Sequence, residues 1–85
     1  MSDAKARFEA AVERSKSLPT PSTTVQLEMY GLFKQASGGD VSGSRPGMFD
    51  MRGRAKWDAW DKCRGMTHEQ AVDAYVALVD KLAKG

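Results

Sequence analysis

Residues 38–50 read GGDVSGSRPGMFD and hold four of the chain's eight glycines and one of its three prolines. No other feature limits the fold as much. Glycine weakens the interior of a helix or strand by roughly 0.5–1 kcal/mol, and proline removes a backbone donor. The stretch is therefore a connection, and an ordered crossing is expected of it. Leu18-Pro19-Thr20-Pro21 makes an earlier break, and Gly65 makes a later one. Four segments remain between the breaks. None alternates apolar and polar residues with the period of a strand, and each follows a 3.6-residue period. An all-α chain of four amphipathic helices is expected, packed as a four-helix bundle.

The first helix is expected over 3–17, with Ala4, Phe8, Ala11, Val12 and Ser15 on its apolar stripe. The second starts at Ser22 or Thr23 and runs to about 36. Thr23-x-x-Gln26 fits a capping box, and Val25, Met29, Leu32, Phe33 and Ala36 form the core stripe. The third is expected over 51–64, with Gly65 as its stop. Thr67-x-x-Gln70 is a second capping box. It opens a fourth helix that runs to about 83, with Ala71, Tyr75, Leu78, Val79 and Leu82 facing the core. The long second connection frees helices two and three from lying as an antiparallel hairpin.

With 85 residues the chain has material for one domain, residues 1–85, and a core too small to enclose a large cavity. A sizeable ligand must then lie in a surface groove. No apolar run approaches the ~18 residues of a membrane span, and the first residues lack the apolar core of a secretory signal. A single cysteine, Cys63, excludes an internal disulfide and points to a reducing, cytoplasmic setting. The net charge of +2, from 13 basic and 11 acidic residues, is too balanced for a dedicated nucleic-acid binder.

Two helix faces carry groups that a core does not need. On the second helix, Leu27, Tyr30 and Lys34 share a face outside the core stripe. On the third, Trp57, Trp60 and Cys63 centre an inward face, with Arg52 and Lys56 on its rim. Arg54 points away, toward Asp58 and Asp61. Rim cations opposite a tyrosine and a lysine suit a phosphorylated nucleotide, whose base stacks and whose phosphates pair with Lys and Arg. They also suit plain solubilisation of the rim, where an ion pair contributes only ~0–1 kcal/mol. Neither a P-loop nor a GxGxxG turn is present, so side chains must do any phosphate binding. No cofactor site is legible.

Nor is a catalytic set. The one histidine, His68, reads as a solvated first-turn residue. Cys63 reads as a buried thiol, and Asp58 and Asp61 as a solvated face. No G-x-S-x-G elbow occurs, and one histidine with one cysteine is too few for the common zinc sites.

Residues 30–60 resemble the signature of the acyl-CoA-binding proteins. The matching elements are Tyr30-x-x-Phe33-Lys34-Gln35-Ala36, Gly39-Asp40, Arg45-Pro46-Gly47-Met48, and Gly53-x-Ala55-Lys56-Trp57-x-Ala59-Trp60. Phe8, Pro19 and Ala74-Tyr75 extend the likeness along the chain. The resemblance implies an up-down-down-up bundle with a long connection between helices two and three. It implies reversible, non-catalytic binding of medium- to long-chain acyl-CoA by a cytoplasmic monomer, with transient contact with acyl-CoA-using enzymes or membranes. Carried over by position, Tyr30 stacks on adenine, and Lys34 and Lys56 hold phosphates. Lys16 and Arg52 add basic contacts, and Tyr75 closes over the ligand. Phe33 stands where many members have tyrosine, so one phosphate hydrogen bond is missing. Leu27 with Ala11 or Val12 is expected to line the acyl groove. The alternative is a helical protein-interaction module using the Leu27–Tyr30–Lys34 face.

Overall fold

The computed structural model describes residues 3–84. It contains α1 (Ala4–Ser15), α2 (Thr23–Gly38), α3 (Met51–Asp61) and α4 (His68–Lys84), and no strand among the described residues. Each break falls where backbone chemistry demands it. Pro19 and Pro21 separate α1 from α2. Gly39 ends α2 at φ 77°, a left-handed value that glycine adopts without steric cost. Gly65, at φ 91°, closes the turns after α3.

The caps divide into one that matches the sequence reading and one that does not. At α4 the capping box is complete. Thr67 Oγ1 accepts from the Gln70 N–H at 3.0 Å, and Gln70 Oε1 accepts from the Thr67 N–H at 2.9 Å. At α2 the expected Thr23–Gln26 box is absent. Ser22 is the cap, accepting from the Val25 N–H at 3.3 Å, while the Gln26 amide donates to the Pro21 carbonyl at 2.8 Å. Ser22, the first residue past Pro21, has the extended backbone that an N-cap requires. The helix expected over 51–64 ends at Asp61. Lys62, Cys63 and Arg64 continue in tighter turns, with the Cys63 N–H on the Trp60 carbonyl and the Arg64 N–H on the Asp61 carbonyl, both at 3.0 Å.

Contacts between the helices fix their directions. Arg7 pairs with Asp73, and Arg14 pairs with Asp80. Both pairs advance by the same step, so α1 and α4 run parallel. Lys56 lies over Tyr30, and Lys34 lies over Trp60, so α2 and α3 also run parallel. The Ala36 carbonyl, late in α2, meets His68 at the start of α4. Thr24 and Leu27, early in α2, share a cavity with Ala74 and Leu78 further along α4. Those two helices are antiparallel. The topology is up-down-down-up.

α1 and α2 both pack along α4, with Phe8 and Phe33 also touching between them, and α3 packs along α2. The Cα atoms extend 37 × 32 × 15 Å, so the thin dimension is about two helices deep. The core consists of Ala4, Phe8 and Ala11 from α1, Ala36 from α2, and Ala71, Val72, Tyr75 and Val79 from α4. Val72 and Val79 have no exposed surface. Fully burying such a side chain contributes about 1.5–3 kcal/mol. α3 adds no fully buried residue; Trp57 and Trp60, expected to pack inward, do so in part, with Trp57 Nε1 buried and both residues half-buried. Phe33, expected in the core stripe, is 37% exposed, and Gln35, which was not expected there, is buried on that helix beside Gly31 and Ala36.

Polar contacts tie the long connection down. The Gln35 amide donates to Asp40 Oδ1 at 2.7 Å and to the Met66 carbonyl at 3.0 Å. Asp40 Oδ1 also accepts from the Gly65 N–H at 2.8 Å. Trp60 Nε1 donates to the Gly39 carbonyl at 2.7 Å, and Val41 is buried. Arg45 holds Asp58 bidentately at 2.8 and 2.7 Å. The glycine-rich stretch is the ordered crossing that its length required.

Candidate binding groove

The closest approach of α2 and α3 builds the site. Gly31 is buried, and a Cβ added there would stand 2.4 Å from the Ala59 carbonyl oxygen. Glycine thus lets the two backbones touch. Toward their N-terminal ends the helices leave a groove of about 520 Å³. One wall is Thr23, Gln26, Leu27 and Tyr30, and the other is Arg52, Ala55 and Lys56. Lys56 Nζ lies 5.4 Å from the Tyr30 ring centroid, and Lys34 Nζ lies 4.9 Å from that of Trp60. Among the described residues Lys34, Arg52 and Lys56 form no ion pair, whereas Arg7, Arg14, Lys16, Arg45 and Arg64 each have a carboxylate partner. The groove therefore carries cations open to an outside anion, beside an aromatic face and an apolar floor.

The structure brings Leu27, Tyr30, Arg52 and Lys56 around one opening and places Lys34 one turn further along α2. The other expected residues lie elsewhere. Phe33 packs against Phe8 at a centroid distance of 5.6 Å, and Phe8 against Tyr75 at 5.3 Å. Tyr75 is 3% exposed, with its hydroxyl 3.5 Å from Ser15 Oγ. Its ring is part of the core. Lys16 is exposed just past α1 and pairs with Glu13 at 3.0 Å. Ala11 is 1% exposed and Val12 packs against the core, so neither joins Leu27 on the groove wall. Their helix packs mainly along α4 and meets α2 at the Phe8–Phe33 ring contact, and spacing along one helix carries no information about its neighbour.

Several contacts were not foreseen. Arg45 belonged to the family signature without a role, and it pins the connection to α3. His68 is no free first-turn residue: Nδ1 lies 2.8 Å from the Ala36 carbonyl. A carbonyl only accepts, so Nδ1 carries the proton and caps the end of α2. Arg45, with Arg54 and Lys62 further off, holds the Asp58 carboxyl below the usual range. The Gly65 N–H and the Gln35 amide do the same for Asp40. Burial pushes the Cys63 thiol up, as suits a structural thiol, and Cys63 Sγ points to the Ala59 carbonyl at 3.6 Å. A second cavity of about 770 Å³ opens between α2, α3 and α4, lined by Leu32, Ala59, Cys63, Ala74 and Leu78 among others. Its sequence signal is the small-residue run Ala55, Ala59, Cys63 along one side of α3.

These features define an all-α protein with an open, cationic, aromatic-edged groove, a form suited to holding an amphipathic anion. The chain belongs to the acyl CoA binding protein family, whose model matches residues 5–79. It is 47% identical over 76 residues to acyl-CoA-binding protein homolog 1 of Caenorhabditis elegans, covering 88% of each chain. The crystal structure of Oryza sativa acyl-CoA-binding protein 2 matches with a TM-score of 0.91 and 40% identity, over 95% of this chain and 91% of that one. That of the Moniliophthora perniciosa protein matches with a TM-score of 0.89 and 45% identity, over 99% and 82%. No described helix is long and apolar enough to cross a membrane.

Proposed function

We propose that this chain binds medium- to long-chain acyl-CoA thioesters reversibly and without catalysis, as a monomeric, single-domain cytoplasmic carrier. It would release them in brief contacts with enzymes or membranes. The observation that carries the reading is the convergence of Tyr30 and Lys56, from separate helices, on one groove. Adenine stacks on Tyr30, contributing about 1–3 kcal/mol. Lys56 lies over that ring, an exposed cation–π contact of about 0.5–1 kcal/mol. Stacking therefore outweighs the contact it displaces, and Lys56 swings to the phosphates together with Lys34 and Arg52. Three cations against the roughly four negative charges of the CoA head make binding salt-sensitive. The acyl chain runs along Leu27 and Ala55, and each buried methylene contributes ~0.8 kcal/mol. Chain length tunes affinity, and the head group fixes orientation.

Calorimetry with palmitoyl-CoA, CoA and palmitate tests the reading. Palmitoyl-CoA is expected to bind tightest. Tyr30→Ala is expected to weaken it about tenfold or more, with little change in Tm. Unchanged affinity in that variant removes Tyr30 from the site, and equal binding of palmitate and palmitoyl-CoA removes the phosphate cluster.

A further inference from the structure

One part of the chain is left unexplained by the groove. Met48, Phe49 and Met51 are 71%, 98% and 78% exposed, and among the described residues only Phe33, at 37%, joins them as an exposed large apolar residue. A cluster of this kind on one projecting turn calls for a partner. The turn is held in shape. The Asp50 N–H bonds the Gly47 carbonyl at 3.0 Å, and the Asp50 carboxylate caps α3 by accepting from the Gly53 N–H at 3.0 Å. Its side chains are thus set outward before any partner arrives, which lowers the ordering cost of contact.

Charge identifies the partner. Residues 45–58 contain four cations (Arg45, Arg52, Arg54, Lys56) and two anions (Asp50, Asp58). The difference, +2, is the formal net charge of the entire chain, so the remaining residues sum to zero. Arg45 and Asp58 neutralise each other. Arg54 borders the same shallow recess as Met48 and Met51. The recess is also bordered by Asp58, which Arg45 already holds, and the Asp50 carboxylate is turned to the α3 cap, so Arg52 and Arg54 are the unpaired charges next to the tip. Protruding apolar side chains beside unpaired arginines match an anionic lipid surface, where rings and thioethers enter the interfacial layer and guanidinium groups meet phosphates.

We propose that the turn at Met48, Phe49 and Met51, flanked by Arg54, is a docking point for anionic membranes. Arg52 and Ala55, immediately beyond it, line the Tyr30 groove, so docking sets the mouth of that groove at the lipid surface. This last step rests on the acyl-CoA reading; the docking itself does not.

The test is sedimentation of the ligand-free chain with vesicles of phosphatidylcholine alone and of phosphatidylcholine with phosphatidylserine. Partition onto the anionic vesicles is expected to be about tenfold stronger and to fall with salt. Replacing the apolar tip (Met48→Ser, Phe49→Ser, Met51→Ser) is expected to weaken it at least about tenfold. Neither Tm nor acyl-CoA affinity in vesicle-free buffer is expected to change. Phe49→Ser alone, at a side chain that packs on nothing, guards against a folding defect. Arg54→Glu is expected to erase most of the preference for phosphatidylserine. The proposal is overturned if the unmodified chain does not sediment, if it binds both vesicles equally, or if the tip variant binds as before. A Phe49-dependent dimer in analytical ultracentrifugation overturns it too, by assigning the turn to a second copy. Vesicle partition without acyl-CoA affinity would refute the groove reading and leave docking intact, and the converse result would do the reverse.

Discussion

Replacing Gly31 by alanine separates the two consequences of the α2–α3 contact. The new Cβ would stand 2.4 Å from the Ala59 carbonyl oxygen and 2.8 Å from its carbon, both backbone atoms that cannot rotate aside. Real Cβ atoms essentially never approach within 3.0 Å, so the helices must part by at least about 0.6 Å. Overpacking of this kind costs about 1–3 kcal/mol. Alanine returns about 0.8–1 kcal/mol of helix propensity, because Gly31 has an ordinary helical backbone. The net loss is then roughly 0–2 kcal/mol, or up to about 15 °C in Tm for a chain of this size. Since α3 rests on α2 alone, it is the helix that moves, and Lys56 and Arg52 move with it. Affinity for acyl-CoA is expected to fall about tenfold or more. Gly38→Ala is the matched control. Its Cβ would meet only Trp60 Cζ2, at an ordinary 3.8 Å, so stability and affinity are expected to hold or rise slightly. Urea denaturation and calorimetry on both variants decide the matter. A Gly31→Ala protein that binds undiminished refutes the claim that this contact sets the groove.

Phe33→Tyr adds a hydroxyl to a ring that is already partly exposed, and calorimetry is expected to show acyl-CoA binding at least about tenfold tighter if that oxygen reaches a phosphate. Thr67→Ala removes one arm of the α4 capping box and is expected to cost about 1 kcal/mol, read as a lower urea midpoint. Asp40 and Asp58 have folded-state pKa values below the unfolded carboxylate value of about 3.9. Their contribution to stability is therefore complete above that value and disappears as pH falls through the folded values. Asp40→Asn and Asp58→Asn are each expected to flatten the fall in Tm on acidification, and a slope identical to the parent's would exclude the residue concerned.

Local chemistry alone settled much of this protein. The prolines at 19 and 21, the glycines at 39 and 65, and the Thr67–Gln70 box each act on backbone within a few residues, so four helices were legible with errors of a few positions at their ends. The Leu27–Tyr30–Lys34 face and the Arg52–Lys56 edge were legible too, because helical periodicity puts residues on a common side. Which cation meets which ring was not. Lys34 sits over Trp60 and Lys56 over Tyr30, a pairing set by the stagger of two parallel helices. The burial of Gln35 likewise depends on the Met66 carbonyl, which a distant segment brings to its amide, whereas the buried sides of Ala11 and Tyr75 were legible in the apolar stripes of their own helices. The order of helices in space is fixed by summed packing across distant segments, and periodicity within one helix records only that it has a buried side. Gly31 shows the limit most plainly: in the sequence it is a weak point in a helix, and only against the Ala59 carbonyl does it become the contact that holds the groove walls.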